Sequence, residues 1–356
     1  MKVGDRDTRF FHSKASQRRR KNYIKGLYNN NGQWCTNPSQ VGDIVLEFHQ
    51  ALFTSQSSKN FDEILVQIPR VVTIEMSNDL LAEFKANEVE TALKKMAPLK
   101  SPRSDGMPPI FYQHYWSLVG SNVVDNILYF LNLGNLPPSL CHSFITLIPK
   151  VNNPEYISQY RPICLSNVLY RIFSKMLANR LKKDLPHLVS EQQSAFVKDK
   201  LISDNIMVAL KTLHYMRNHS SGETGYMALK LDLSKANDRV EWLYTEKLMK
   251  KMCFGDTWVN LMMQCISKAT YFVLINGEPH GHITPTRVLS QGDPLSPYLF
   301  LLCTEEFHGL LRKAEENGDI RGVSICRSAP KLTHLLFVDD NLIFCRAKLN
   351  ECEKRL

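Results

Sequence analysis

Three carboxylates pose the chemical question in this chain. Asp339 and Asp340 stand side by side in His334-Leu335-Leu336-Phe337-Val338-Asp339-Asp340-Asn341-Leu342-Ile343-Phe344, with apolar residues running away on both sides. That pattern suits a hairpin with the acids at its tip. Adjacent carboxylates repel, and water, a cation or protonation must relieve the repulsion. For an isolated pair a wet surface turn is the commoner outcome. The sharper reading is a magnesium site, because Mg²⁺ takes hard oxygen ligands, often together with substrate phosphates. That reading needs a third carboxylate on a matching strand. Asp232 qualifies: over residues 226–234, Leu229, Leu231 and Leu233 face one way, and Ala228, Lys230 and Asp232 the other. Three acids at one edge of an antiparallel sheet can hold two divalent metals, which stabilise the attacking and leaving oxygens of phosphoryl transfer.

Two further groups bear on polyanions. Ser290-Gln291-Gly292-Asp293-Pro294 precedes a run in which Leu295, Tyr298, Leu299 and Leu302 share a helical face. Asp293 suits an N-cap and Pro294 the first helical position. Gly292 permits close backbone approach to a ligand or base. At the other end, Arg18-Arg19-Arg20-Lys21 is the densest part of a basic segment with interleaved Phe10, Phe11, His12, Tyr23 and Tyr28. A solvated helix face explains such a run. Nucleic-acid contact explains it as well, since aromatics for stacking accompany phosphate-neutralising charge.

Bulk properties agree with a polyanionic partner. Net charge is +9 over 356 residues. Residues 1–25 hold nine Lys/Arg and two acids, so +7 of that excess sits there. The nine cysteines include no Cys-x-x-Cys pair, which argues against zinc fingers and a disulfide framework. No signal peptide and no membrane-length apolar run is visible, so an intracellular protein of nucleus or cytoplasm is expected.

The elements that must position these residues read as follows. Helices are expected over 41–53, 87–97, 117–132, 203–217, 240–252 and 257–267. Another runs from a Ser166 or Asn167 cap to Pro186, with Arg171, Lys175, Arg180, Lys182 and Lys183 off its apolar face. The QGDP segment opens a helix reaching Gly318. Strands are expected at 144–149, 160–163 and 226–234. Residues 271–275 and 282–289 flank Asn276-Gly277, a hairpin signal that Pro279 and Gly281 weaken toward a longer loop. Residues 55–60, 98–109 and 218–225 read as loops.

The ordered set Lys230-Leu231-Asp232-Leu233-Ser234-Lys235-Ala236, Ser290-Gln291-Gly292-Asp293-Pro294-Leu295-Ser296-Pro297-Tyr298-Leu299-Phe300 and Phe337-Val338-Asp339-Asp340 resembles the reverse transcriptases of LINE-type, non-LTR retrotransposons, particularly plant ones. Leu147-Ile148-Pro149-Lys150, Tyr160-Arg161-Pro162-Ile163 and Ser194-Ala195-Phe196-Val197 resemble that family's fingers motifs. Asp105-Gly106-Met107-Pro108-Pro109 and the segment from Gly4-Asp5 through Phe10-Phe11-His12 to Arg18-Arg19-Arg20 resemble its N-terminal extension. The resemblance covers nearly the whole chain. It implies an α+β right-hand polymerase with fingers and a partial palm, an antiparallel sheet packed on helices, preceded by a basic helical extension. The implied divisions are 1–75 (extension), 76–140 (helical part) and 141–356 (fingers and palm, truncated before the thumb). It also implies RNA-directed DNA polymerase activity on template RNA, DNA primer and dNTPs. Asp232, Asp339 and Asp340 would be catalytic ligands of two Mg²⁺ ions, with Mn²⁺ as a substitute. Lys150 and Arg161 would face the triphosphate, Gln291 and Gly292 would touch the template and the new base pair, and Arg18 to Lys21 would hold template RNA.

Departures from the family pattern are informative. Asn237 stands where the family has the Tyr or Phe that blocks a ribose 2′-OH, so weakened sugar discrimination is expected. Val288 and Ser290 replace a Gly and an Arg before Gln291. Lys198-Asp199-Lys200 replaces Pro-Gly-Arg, Arg103-Ser104 replaces Gly-Pro, and Val338 replaces the common Ala, a mild change. With neither endonuclease nor thumb expected in the chain, the competing reading is a catalytically weak or silent RNA-binding remnant. A maturase-like protein should carry an RNA-splicing domain beyond the palm. The Gln291-to-Pro297 motif argues against a nuclease or small-molecule kinase.

Overall fold

The computed structural model describes residues 9–56, 61–98, 106–219, 225–326 and 329–347. The Gly4-Asp5 segment, most of the expected loop at 98–109 with its Arg103, Ser104 and Asp105, and the tip of the loop at 218–225 lie outside the described residues, as does everything after residue 347.

The chain opens with a basic helix α1 (Arg9–Asn22) and a two-stranded ribbon, β1 (Leu27–Tyr28) and β2 (Trp34–Cys35). Helix α2 (Pro38–Phe53) begins a turn before the expected residue 41. Asn37 accepts the Ser39 N–H at 2.9 Å, and Pro38 supplies the preset φ of a first helical residue. Then come α3 (Ile74–Leu81), α4 (Ala86–Lys94), α5 (Pro109–His114), α6 (Trp116–Leu133) and α7 (Pro138–Cys141). Strands β3 (His142–Pro149) and β4 (Tyr160–Leu165) lead into the long helix α8 (Val168–Leu188), followed by α9 (Ile202–Asn218) and β5 (Tyr226–Asp232). The remainder is α10 (Trp242–Lys251), α11 (Asp256–Ser267), β6 (Thr270–Ile275), β7 (Glu278–Ile283), α12 (Ser296–Glu316), β8 (His334–Phe337) and β9 (Asp340–Arg346).

Two sheets matter. The four-stranded sheet runs β4-β3-β6-β7, with β3 parallel to β6 and the other pairs antiparallel. The three-stranded sheet runs β5-β9-β8 and is antiparallel throughout, as expected for the strands bearing the acids. This is the mixed α+β architecture of fingers and palm.

Helix α8 is the spine of the main core. Ile172, Phe173, Met176, Leu177 and Leu181 are buried against α4, α6 and α12. Each such side chain stabilises the fold by roughly 1.5–3 kcal/mol. A second core lies between α2 and the four-stranded sheet, around Val45, Ile145, Tyr271, Val273 and Val288.

Four local expectations change. Helix α8 continues through Pro186 to Leu188 instead of ending there; Pro186 forfeits the bond its N–H would have made to the Lys182 carbonyl, and the helix stops two residues later. Arg171 and Arg180 are buried, not off the apolar face. Arg180 makes a two-point contact with Glu88 (3.0 and 2.8 Å), donates to the carbonyls of Leu80 and Glu83, and stacks on Phe84. Asn276-Gly277 forms a direct two-residue turn with φ of 54° and 102°, and β7 starts at once at Glu278, so there is no longer loop. Finally, α12 starts at Ser296. Asp293 caps the turn before it, accepting the Leu295 N–H at 2.7 Å.

Candidate functional site

The antiparallel register of β5 and β9 sets Asp232 directly opposite Asp340. Paired residues point to the same face, so these two carboxylates share a side of the sheet. Asp339 occupies the two-residue turn between β8 and β9, and its carbonyl accepts the Leu233 N–H at 3.1 Å. The chain segment after Asp232 is thereby tied to the turn. As expected, Ala228, Lys230 and Asp232 are exposed, while Leu231 packs toward α12 with Ile343 and Phe307. Leu229 and Leu233 stay about 40% exposed (43% and 40%), because β5 is an edge strand.

The other residue of the turn, Val338, has φ of 56°. This left-handed conformation disfavours β-branched side chains. The replacement of Ala by Val, mild in sequence terms, therefore adds strain next to Asp339.

A cavity of about 660 Å³ opens in front of these acids. Its lining brings together Lys150, Arg161, Asp232, Asn237, Gln291, Gly292, Asp339 and Asp340, which come from five separate stretches of chain. Lys150 and Arg161 are exposed at the ends of β3 and β4. Gly292 has φ of 102°, and a Cβ there would sit 3.4 Å from the Cys164 carbonyl, so glycine lets this turn lie against β4. The Gln291 carbonyl in turn accepts the Cys164 N–H at 2.9 Å.

The cavity also holds residues that motif spacing did not single out. Asp238 is buried and accepts the Gln291 amide N–H at 3.0 Å. Burial pushes its carboxyl pKa up, while Gln291 and the cations Lys235, Lys150 and Arg239 oppose that rise. With its NH₂ given to Asp238, Gln291 keeps its carbonyl oxygen available as an acceptor. Lys235 has φ of 55° and lies 3.8 Å above the Phe48 ring; burial lowers its pKa and Asp238 raises it. Asp238 lies six residues beyond Asp232, a spacing readable in sequence; the Lys235–Phe48 contact joins segments with no local relation.

The site does not gather everything expected. Arg18, Arg19, Arg20 and Lys21 are exposed on α1 and line no part of this cavity. Asp340 is engaged by Lys230 at 2.9 Å, a contact that raises the lysine pKa. No group of three or more His, Cys, Asp or Glu among the described residues is arranged to hold a metal. Asp232 and Asp339 nevertheless suit a hard divalent cation. They are neighbouring carboxylates at an open cavity, and neither forms an ion pair among the described residues. Mg²⁺ commonly takes one or two carboxylates and completes its shell with phosphates and water, which is the donor set available here.

Residues 148–356, more than half of the chain, match the sequence profile of the family described as "Reverse transcriptase (RNA-dependent DNA polymerase)". The chain is 29% identical to the Transposon TX1 uncharacterized 149 kDa protein of Xenopus laevis, over 87% of this chain and 24% of that protein. It is 24% identical to the Retrovirus-related Pol polyprotein from type-2 retrotransposable element R2DM of Drosophila melanogaster, over 92% of this chain and 28% of that one. An uncharacterized mitochondrial protein of Arabidopsis thaliana is 55% identical over 19% of this chain and 55% of its own length. The chain thus spans about a quarter of the first two relatives. No helix among the described residues is long and apolar enough to cross a membrane.

Proposed function

The chain belongs to the reverse transcriptase (RNA-dependent DNA polymerase) family, of the non-LTR retrotransposon type, and we propose that the cavity before Asp232 and Asp339 is its nucleotide-addition site. The observation that carries this reading is the convergence in one cavity of Asp232, Asp339, Lys150, Arg161 and Gln291. The substrates are a DNA primer on an RNA template and a dNTP.

In the proposed reaction the primer 3′-OH attacks the α-phosphorus of the dNTP. A P–O bond to the primer forms, the α–β phosphoanhydride bond breaks, pyrophosphate leaves, and the hydroxyl proton passes to solvent. Divalent cations, Mg²⁺ with Mn²⁺ as substitute, would be held by Asp232 and Asp339 and would neutralise charge on the reacting oxygens. Lys150 and Arg161 bind the triphosphate, the lysine as a point charge and the arginine through its planar fork. Asp238 fixes the Gln291 carboxamide, leaving its oxygen for a sugar hydroxyl or base edge. Gly292 keeps side-chain atoms away from the new base pair. Asn237 also lines the cavity, and in this reading it takes the place of the aromatic sugar gate, its small amide leaving room for a 2′-OH.

The test is primer extension with Mg²⁺, comparing this chain with Asp339→Ala. Loss of extension in the variant is expected; equal signals would instead favour a catalytically silent RNA-binding protein. One observation speaks for that second reading: Lys230 already occupies Asp340, the third carboxylate.

A further inference from the structure

Strand β8 lies at one edge of its sheet, in the order β5-β9-β8. Its outer side is nonetheless covered. The Leu336 N–H donates to the Gln192 carbonyl at 3.0 Å, and the Leu336 carbonyl accepts the Ser194 N–H at 3.4 Å and the Asn205 side-chain amide at 3.1 Å. Gln193 thereby forms a parallel bridge with Leu336. The strap that makes these contacts, residues 190–194, is itself clamped. The Lys200 ammonium donates to the carbonyls of Ser190, Glu191 and Gln193 at 3.3, 3.0 and 3.0 Å, which occupies all of its hydrogens. Glu305 of α12 accepts the Ser190 N–H at 3.0 Å and the Ser190 hydroxyl at 3.3 Å. Gln193 sits at the centre of the strap, fully buried, and does not line the cavity before the acids. Its Oε1 accepts two N–H groups, from Ala195 at 3.0 Å and from Val338 at 3.4 Å. Its Nε2 has no hydrogen-bond partner among the described residues.

We propose that Gln193 is a positioning residue for Asp339: its side-chain carbonyl, carried on the clamped strap, fixes the turn that presents this carboxylate. Three observations support the assignment. The first is the state of the turn. Val338 holds a φ of 56°, and such strain persists only where the surroundings over-determine it. Its N–H lies beyond the last β8–β9 register pair, so the ladder offers it no acceptor, and Gln193 supplies one. The second is the unpaired Nε2. Burying an amide with unmade donors costs stability, and an apolar side chain of the same shape would avoid that cost. Packing alone therefore does not account for an amide here, whereas its hold on the turn does. Turned over, the NH₂ would face two N–H donors, so the orientation is set. The third is the clamp, since a bond from an anchored strap transmits position and one from a loose loop does not. Gln193 touches no reacting atom and acts on Asp339 through Val338. The role in catalysis rests on the proposed polymerase reading; the hold on the turn does not.

The test compares the whole chain with Gln193→Met, which keeps the side chain's length and removes its oxygen, and with Gln193→Met combined with Val338→Gly. Backbone hydrogen exchange over residues 337–340, measured without substrates, should quicken about fivefold in Gln193→Met, the loss of one net hydrogen bond. In primer extension the same variant should lose on the order of tenfold in kcat, the effect of a misplaced reacting group, with KM for the dNTP within about twofold. The contacts of Lys150 and Arg161 to the triphosphate are untouched, which is why KM holds. Glycine adopts the left-handed turn without strain, so Val338→Gly should return most of the lost kcat in the Gln193→Met background; a defect spread through the core would not be relieved in this way. Should Gln193→Met not fold, Lys200→Met releases the strap and carries the same expectations. Unchanged exchange overturns the proposal, whatever extension assays show, and so does faster exchange with kcat intact or with no rescue by Val338→Gly. Faster exchange in a chain whose extension is insensitive to Asp339→Ala overturns the polymerase reading and leaves the hold on the turn standing.

Discussion

Val288 offers a direct test of how this chain departs from its relatives. It stands where the resemblance calls for glycine, and its φ is 141°, a backbone conformation that L side chains rarely adopt. Yet its side chain is buried, 3% exposed, in the core between α2 and the four-stranded sheet. Its backbone is held on both sides: its N–H donates to the Val240 carbonyl at 3.1 Å, and its carbonyl accepts the Trp242 indole N–H at 2.8 Å. Two effects therefore oppose each other, and a two-step series separates them. Val288→Ala removes buried methyl groups and keeps the Cβ, so stability should fall by roughly 1.5–2.5 kcal/mol. Going from Ala to Gly removes the Cβ. That relieves strain of about 1–3 kcal/mol, against a glycine entropy penalty of about 0.5–1 kcal/mol. Taking the middle of each range, the Gly variant should thus be more stable than the Ala variant by about 1 kcal/mol, the reverse of the usual order. Urea unfolding followed by circular dichroism reads this as a shift in midpoint at constant slope. An Ala variant as stable as, or more stable than, the Gly variant would refute the claim of strain at Val288.

Further outcomes follow from the same structure. Asn237→Tyr should restore discrimination against ribonucleotides by about tenfold or more, the effect of filling the space for a 2′-OH; single-nucleotide incorporation of rNTP against dNTP measures it, and strong exclusion already in the parent chain would contradict the role given to Asn237. Arg180→Met should destabilise by roughly 3 kcal/mol, because it strands Glu88, the buried Leu80 carbonyl and the partly buried Glu83 carbonyl; a change below 1 kcal/mol in thermal unfolding would count against the anchor. Burial lowers the His334 pKa from 6.5 to about 4. The unfolded chain then binds a proton there below about pH 6.5 that the folded chain does not accept until about pH 4, so stability falls as pH drops through this window. His334→Gln should flatten that fall by up to about 1.4 kcal/mol per pH unit, and an unchanged difference between pH 7 and pH 5 would refute it.

Much of the fold was legible because its signals are local. Alternation over Tyr226–Asp232, apolar spacing in α8 and α11, and Asn276-Gly277 each report on a few neighbouring residues. The limits of legibility have one physical cause. Arg180 reads as an exposed charge until Glu88, 92 residues away, is placed beside it. Lys230 reads as one member of an exposed face, and only the β5–β9 register brings Asp340 onto it. Asp238 looks like a loop acid until Gln291 arrives. The glycine replaced by Val288 was visible as a departure, but its conformational significance required the backbone angle. Arg18 to Lys21, conspicuous in sequence, lie apart from the cavity because their helix packs near β3.

The parallel pairing of β3 with β6 also sets a timetable for synthesis. His142 and Thr270, register partners on these strands, are 128 residues apart. At typical translation rates of about 5–20 residues per second, β3 waits on the order of ten seconds for this neighbour. Only its β4 side can be covered at once, and the opposite edge stays open to other unpaired strands. Moreover, β5 lies within that interval and gains its partner later still, when β9 emerges. A ribosome arrested before Thr270 should therefore expose β3 and β5 to protease, and resistance of both in such an arrested chain would show that they fold independently of their late partners. Asp232 would meet Asp340 only once β9 has emerged, so the two carboxylates come together after every helix described above has been made.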